Sequence, residues 1–184
     1  MENNYTFTSE SVSAGHPDKV ADQISDTLVD AGLKAGDETT RVAVETLVTT
    51  NHVTIAGEVK NFNVTPDEIE QLIRDKVKEI GYKQDGFHYE NLKINNLIHS
   101  QSGDIGLGTD EFGAGDQGLM FGYACLDNGS FLPAPIYYSH EILKNLNEKR
   151  KSGYDYMLPD DKSQVSIEYS GGVPKRVDQI VVSH

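Results

Sequence analysis

Residues 41–59 constrain the fold most. Arg41 to Thr50 alternates, with Val42, Val44, Thr46 and Val48 on one face and Ala43, Glu45 and Leu47 on the other. Asn51-His52 suits a hairpin turn, and Val53 to Val59 returns as a second strand. A hairpin that is apolar on one face needs a layer to cover that face. Helical patterns flank it on both sides. Upstream, Pro17 suits a first helical position and Asp18 the positive end of the helix dipole, with Val20, Ala21, Ile24 and Leu28 along one side. Downstream, Thr65 and Glu68 form a capping box around Pro66, and Ile69, Leu72, Ile73, Val77 and Ile80 make an apolar stripe that ends at Gly81.

The rest of the chain repeats this mixture. Tyr5 to Ser9 reads as a short strand and Leu92 to His99 as another. Residues 101–118 are glycine-rich, Leu119 to Leu126 reads as a buried strand, and Ile136 to Lys151 is helical. Ser163 to Tyr169 and Lys175 to Val182 form a hairpin across Gly171-Gly172. The order is β-α-β-β-α-β followed by β-α-β-β. It predicts an α+β fold of mixed and antiparallel sheets with helices on one face. Residues 13–100 form one expected unit. Residues 119–184 with the N-terminal strand form a second, and 101–118 is the loop between them. A chain of 184 residues is long enough for one sizeable core or two small ones.

Charge narrows the partners. With 29 acidic and 16 basic residues the formal charge is −13, which argues against nucleic acid as a partner. It also sits badly with a phosphate site built from this chain alone, so metal ions or basic groups from another chain would have to compensate. Cys125 is the single cysteine and lies in an apolar run, which predicts a buried, inert thiol and no intrachain disulfide. The polar N-terminus has no signal-peptide pattern, and no stretch approaches the roughly 20 apolar residues of a membrane helix. A soluble cytoplasmic protein without a membrane partner is expected.

Four places could carry chemistry. The first is Glu10 with Gly15-His16-Pro17-Asp18-Lys19, which puts an imidazole, carboxylates and an ammonium at a helix start. Free N–H groups there bind anions, and a carboxylate there can hold Mg²⁺. From the pattern alone an ordinary capped helix start is the simpler reading, since aspartate in a first turn is common. The second is Glu45 and Glu58 on neighbouring strands. A solvated face is the simpler reading, and a buried glutamate would need a cation or donor beside it. The third is the loop with Gln101, Asp104 and Gly113-Ala114-Gly115-Asp116-Gln117-Gly118. Six glycines in 101–118 suit either a binding lid or a flexible surface loop, and no P-loop pattern follows. The fourth is Asp160-Asp161-Lys162 before the last hairpin. The aspartates at 18, 22, 26 and 30 read as a solvated helix face. The six histidines show no metal spacing, and no catalytic triad pattern is present.

Together these segments resemble one family. Phe7-Thr8-Ser9-Glu10-Ser11-Val12-Ser13, Gly15-His16-Pro17-Asp18-Lys19 and Ala21-Asp22-Gln23-Ile24-Ser25-Asp26 are similar to the opening of S-adenosylmethionine synthetase (methionine adenosyltransferase). Gly113-Ala114-Gly115-Asp116-Gln117-Gly118-Leu119-Met120-Phe121-Gly122-Tyr123-Ala124 is similar to its central signature, and Pro133-Ala134-Pro135-Ile136 and Lys162-Ser163-Gln164-Val165 support the match. The resemblance implies a pseudo-threefold α+β fold, of which residues 1–184 form the N-terminal half. It implies ATP and L-methionine as substrates, with Mg²⁺ and K⁺ as cofactors. By resemblance, His16 stabilises the departing triphosphate, Asp18 is a Mg²⁺ ligand with Glu10 as a second candidate, and Glu45 is the K⁺ ligand. Glu58, Gln101 and Asp116 match methionine- and adenosine-site residues. Asp160 and Lys162 match nucleotide contacts, with Lys162 reaching phosphate. Gln101, Ser102, Gly103, Asp104 and Ile105 match the gating loop.

Two departures qualify the match. Gly103 stands where the family usually has proline, and the loop from Ile105 to Gly113 is short. The family is also about twice as long, and its later half carries further basic phosphate-site residues. The expectation is therefore a split, heteromeric enzyme with interfacial active sites, in which a complementary chain supplies that half. A truncated fragment of an ordinary synthetase and a non-catalytic regulatory subunit are the alternatives.

Overall fold

The computed structural model describes residues 4–101, 117–154 and 156–184. The elements in chain order are β1 (Asn4–Val12), α1 (Pro17–Ala35), β2 (Arg41–Thr49), β3 (His52–Lys60), α2 (Pro66–Ile80), β4 (Lys83–Gln84), β5 (Phe87–His88), β6 (Lys93–Ser100), α3 (Ala134–Lys151), β7 (Lys162–Ser170) and β8 (Val173–Ser183). The fold is α+β. The chain divides into two units, one of residues 17–119 and one of residues 1–16 with 120–184.

In the unit of residues 17–119, β2, β3 and β6 form a sheet in that order. β2 and β3 are antiparallel, whereas β3 and β6 are parallel and joined through α2. Thr49 pairs with His52, so the turn is Thr50-Asn51, one residue earlier than the sequence suggests. Asn51 takes a positive φ of 46°, which asparagine tolerates better than a branched or bulky residue. One sheet face meets both helices. Val20, Ile24 and Leu28 of α1 and Ile69, Ile73, Val77 and Ile80 of α2 close over Val44, Val53 and Ile55 in one core. The capping box at Thr65 and Glu68 is formed, and Gly81 ends α2 in the left-handed region at φ 112°. β4 and β5 add a small hairpin around Asp85-Gly86.

In the other unit, β1, β7 and β8 form an antiparallel sheet in that order. α3 packs on β1 and β7. Beneath it Ala134, Val165, Ile167 and Tyr169 form a smaller core with Ile142 at its border. Sequence signals for the α3 start are weak, because Pro133 caps without a side-chain bond and the first turn has no acid. Asp127 does the work instead. Its Oδ2 accepts from the Ala134 N–H at 3.0 Å and from the Tyr169 hydroxyl at 2.6 Å. Burial and this carboxylate both push the Tyr169 hydroxyl pKa above its usual value.

One expected element is absent. Leu119 to Leu126 forms no strand and is not buried. Leu119, Met120, Phe121, Tyr123 and Leu126 are 79–92% exposed. An apolar run forms a strand only where a sheet edge and a covering layer await it, and none of the described strands pairs with this one. Cys125 is accordingly only half-buried, rather than a core thiol. Among the described residues no helix is long and apolar enough to cross a membrane.

Candidate functional site

The candidate residues fall into two groups, one in each unit. Glu10, His16, Asp160 and Lys162 share the unit built on β1, β7 and β8. In that sheet Glu10 pairs with Gln164 and Val12 with Lys162, and past this point the chains stay knitted together. The Ser13 N–H donates to the Asp161 carbonyl at 2.9 Å, and the Gly15 N–H to the Pro159 carbonyl at 3.1 Å. The Ser13 hydroxyl donates to the Pro159 carbonyl at 2.6 Å and accepts from the Asp161 N–H at 2.7 Å. These four bonds clamp segment 13–16 against segment 159–161, which lie some 145 residues apart in the chain.

Glycine is required within the clamp. A Cβ on Gly15 would sit 2.2 Å from the Pro159 carbonyl oxygen, far inside contact distance. His16 follows directly, half-buried, with its N–H bonded to the Ser13 carbonyl. The Lys162 ammonium lies 3.8 Å from Asp160 Oδ1, an ion-pair distance too long for a hydrogen bond. Asp160 Oδ1 is buried and has no hydrogen-bond partner among the described residues. Its neighbour Asp161 is 3% exposed and bonds the imidazole of the exposed His184, a buried carboxylate that the charged triplet in the sequence does not distinguish from a solvated turn.

Asp18, Glu45, Glu58 and Gln101 belong to the other unit. Asp18 is exposed in the first turn of α1. Register puts Glu45 opposite Ala56, Glu58 opposite Ala43, and His99 beside Glu58, so all share the sheet face away from the helices. Glu45 is exposed there, as the simpler reading holds. Glu58 lies 3.5 Å from His99 Nε2. Gln101 follows β6, and its N–H donates to the Val59 carbonyl at 2.8 Å. Its Oε1 is a second buried acceptor without a partner among the described residues. Leaving such an acceptor unpaired costs about 1–3 kcal/mol, and Gln84 Oε1 is a third of the kind among the described residues. Asp116, Ser102, Gly103, Asp104 and Ile105 lie outside the described residues.

Among the described residues no three His, Cys, Asp or Glu side chains gather into a ready metal cage. Mg²⁺ does not require one, because it is held by one or two carboxylates and otherwise by water and ligand oxygens. The Asp18 carboxylate is exposed, as such an ion arriving with a polyanion requires, and so, in the other unit, is that of Glu10. For K⁺, Glu45 offers one carboxylate on an open face.

Comparison with known proteins bears on these residues. The family model for the N-terminal domain of S-adenosylmethionine synthetase matches residues 4–103, and that for the central domain matches residues 111–184. The chain is 58% identical to an S-adenosylmethionine synthase of Paramagnetospirillum magneticum, over 98% of this chain and 48% of that one. It is 54% identical to the synthase of Granulibacter bethesdensis, over 97% and 47%. Among solved structures, an unusual S-adenosylmethionine synthetase from Campylobacter jejuni superposes with a TM-score of 0.84 at 37% identity, covering 97% of this chain and 47% of that one. The chain spans about half the length of the curated relatives it matches. By two domain matches that together cover nearly all of it, the chain belongs to the S-adenosylmethionine synthetase family.

Proposed function

We propose that this chain supplies half of the active site of a methionine adenosyltransferase, which makes S-adenosylmethionine from ATP and L-methionine with release of phosphate and pyrophosphate, and that a complementary chain supplies the rest. The observation that carries the reading is the clamp between segments 13–16 and 159–161, which holds the His16 segment beside Asp160 and Lys162.

In this reaction the methionine sulfur forms a bond to C5′ of the ribose as the C5′–O bond breaks. The bonding pair leaves with the triphosphate, and water then cleaves one of its P–O–P links to give phosphate and pyrophosphate. No general base is needed; alignment and positive charge around the leaving group are. His16 donates to the departing triphosphate, and the Lys162 ammonium balances phosphate charge. Asp160 Oδ1 accepts from the nucleotide. Glu58 and Gln101 Oε1, at one end of β3 and β6, offer acceptors to the methionine ammonium, and Asp116 lies near the methionine and adenine groups. Asp18 would hold Mg²⁺, which supplies charge neutralisation on the polyphosphate, with Glu10 as a second candidate ligand, and Glu45 would hold K⁺. Residues 101–105 serve as the gate. The reaction is cytoplasmic.

The need for a second chain is electrostatic. A net charge of −13 opposes a triphosphate, and the half of the relatives' length that this chain does not span is the natural source of further cations. His16→Ala and Lys162→Ala, each assayed in the assembled enzyme, should lower turnover on the order of 10²–10³-fold without changing complex mass. Retained activity in both would favour a regulatory subunit. A second reading, a piece of an ordinary synthetase, is favoured by the half-length coverage. The downstream reading frame distinguishes the two: a continuous one supports the piece, a separate start supports the split enzyme.

A further inference from the structure

The sheet of β1, β7 and β8 changes character along its length. Under α3 the buried face of β7 is apolar from Tyr169 back to Val165 and turns polar at Ser163. Register pairs Ser163 with Ser11, so both side chains stand on that same face, one step from the clamp at Ser13. α3 meets them with Ser139 and His140. The Ser163 hydroxyl donates to the Ser139 carbonyl at 2.8 Å, and the Ser11 hydroxyl shares a 2.7 Å hydrogen bond with His140 Nδ1. The Ser139 hydroxyl donates to the Ser9 carbonyl at 3.0 Å, and within the helix it also reaches the Pro135 carbonyl at 2.9 Å. Ser11, Ser139 and Ser163 are all buried. Apolar contact is non-directional, whereas hydrogen bonds weaken steeply when bent. α3 therefore rests on one part of the sheet by apolar packing and is pinned by directional bonds to the part that leads into the clamp.

We propose that Ser139 and His140 of α3 are positioning residues for the adenosyl transfer. Through Ser11 and Ser163 they fix the ends of β1 and β7, and with them the segments that carry His16 and Lys162. Lys162 directly precedes Ser163, and His16 lies three residues past the clamp serine, Ser13. Alignment at the leaving group is what such a reaction requires, and a misplacement of about 1 Å costs on the order of 100-fold in rate. The proposal rests on the methionine adenosyltransferase reading. It adds residues on a helix outside the candidate site that act without touching substrate.

The test uses the whole of this chain, alone and paired with the remaining half of the Paramagnetospirillum magneticum synthase. His140→Ala is the first variant, because that residue is exposed and its loss opens no cavity in the core. In the chain alone, amide hydrogen exchange at Ser13, Gly15 and Asp161, the three N–H groups of the clamp, should speed at least tenfold. Residues 165–169 of the same sheet should keep wild-type rates. In the paired enzyme kcat should fall at least tenfold, and KM for methionine should stay within about twofold, since Glu58 and Gln101 belong to the other unit. His140→Asn, whose side-chain amide can stand where Nδ1 does, should recover most of both losses. Ser139→Ala should act in the same direction as His140→Ala. Lys144→Ala, which removes an exposed ion pair to Glu141 on α3, should change neither readout. Three results in His140→Ala or its rescue would each overturn the proposal: wild-type exchange at the clamp, equally faster exchange along residues 165–169, or an asparagine variant no better than alanine. A wild-type pair that forms no S-adenosylmethionine would sink the adenosyltransferase reading and this proposal with it. An active wild type matched in kcat by His140→Ala would sink the proposal alone.

Discussion

The two units have sheets of equal strand number but unequal closure. Residues 17–119 bury Val20, Ile24, Leu28, Val53, Ile55, Ile73 and Val77 to 1% or less between a sheet and two helices. Among the described residues, the unit of β1, β7 and β8 buries five hydrophobic residues, Ala134, Leu143, Val165, Ile167 and Tyr169, and leaves much of β8 and the run 120–126 exposed. Among the described residues, two helices cover the sheet of the first unit and one covers that of the second. The clamp that holds His16 belongs to the unit with the more open sheet.

Paired substitutions test this contrast with the largest expected effect. Ile73→Ala in α2 should cost about 2–5 kcal/mol by urea unfolding. Val177→Ala in β8 should change stability by no more than about 0.5 kcal/mol, as at an ordinary surface position. Equal costs at the two sites would break the comparison. Gly15→Ala comes next. Its Cβ overlaps the Pro159 carbonyl, so about 1–3 kcal/mol should be lost and turnover of the assembled enzyme should fall.

Tyr169→Phe sharpens the account of the smaller core. It removes one of the two bonds to Asp127 and should cost about 1 kcal/mol. It also changes the pH response. The folded pKa of Tyr169 is raised, so its contribution is complete below the unfolded value near 10 and is lost as pH rises through the folded one. The fall in melting temperature above that pH should be shallower in the phenylalanine variant.

The smallest effect is at the α2 cap. Backbone and hydroxyl bonds from Thr65 lower the Glu68 pKa. Its contribution is therefore present above the unfolded carboxylate value and is lost as pH falls through the lowered folded one. Glu68→Gln should flatten that part of the acid limb in a pH series of thermal melts.

Local signals in the sequence carried the closed unit. The alternation of residues 41–59, the Thr65–Glu68 box and the stop at Gly81 are all set by neighbours within a few residues. The β4-β5 hairpin has an Asp85-Gly86 signal of the same kind that went unread. The open unit was less legible because its determinants are distant. Ser13 meets Pro159 and Asp161, and Asp127 meets Tyr169, contacts that leave no periodic trace. Leu119 to Leu126 misled for a related reason, since apolar composition marks a segment that must be covered without saying by what. For the candidate site, the residue types were readable from the motifs. That Gln101 Oε1 and Asp160 Oδ1 are buried without a hydrogen-bond partner among the described residues emerges only from the packing.

The central claim is that this chain holds half of a catalytic site. The most direct measurement is S-adenosylmethionine formation from ATP and methionine, with Mg²⁺ and K⁺ present, by the chain alone and by the chain with a complementary half. The account predicts background turnover alone and robust turnover when paired. Full turnover by the chain alone would contradict it.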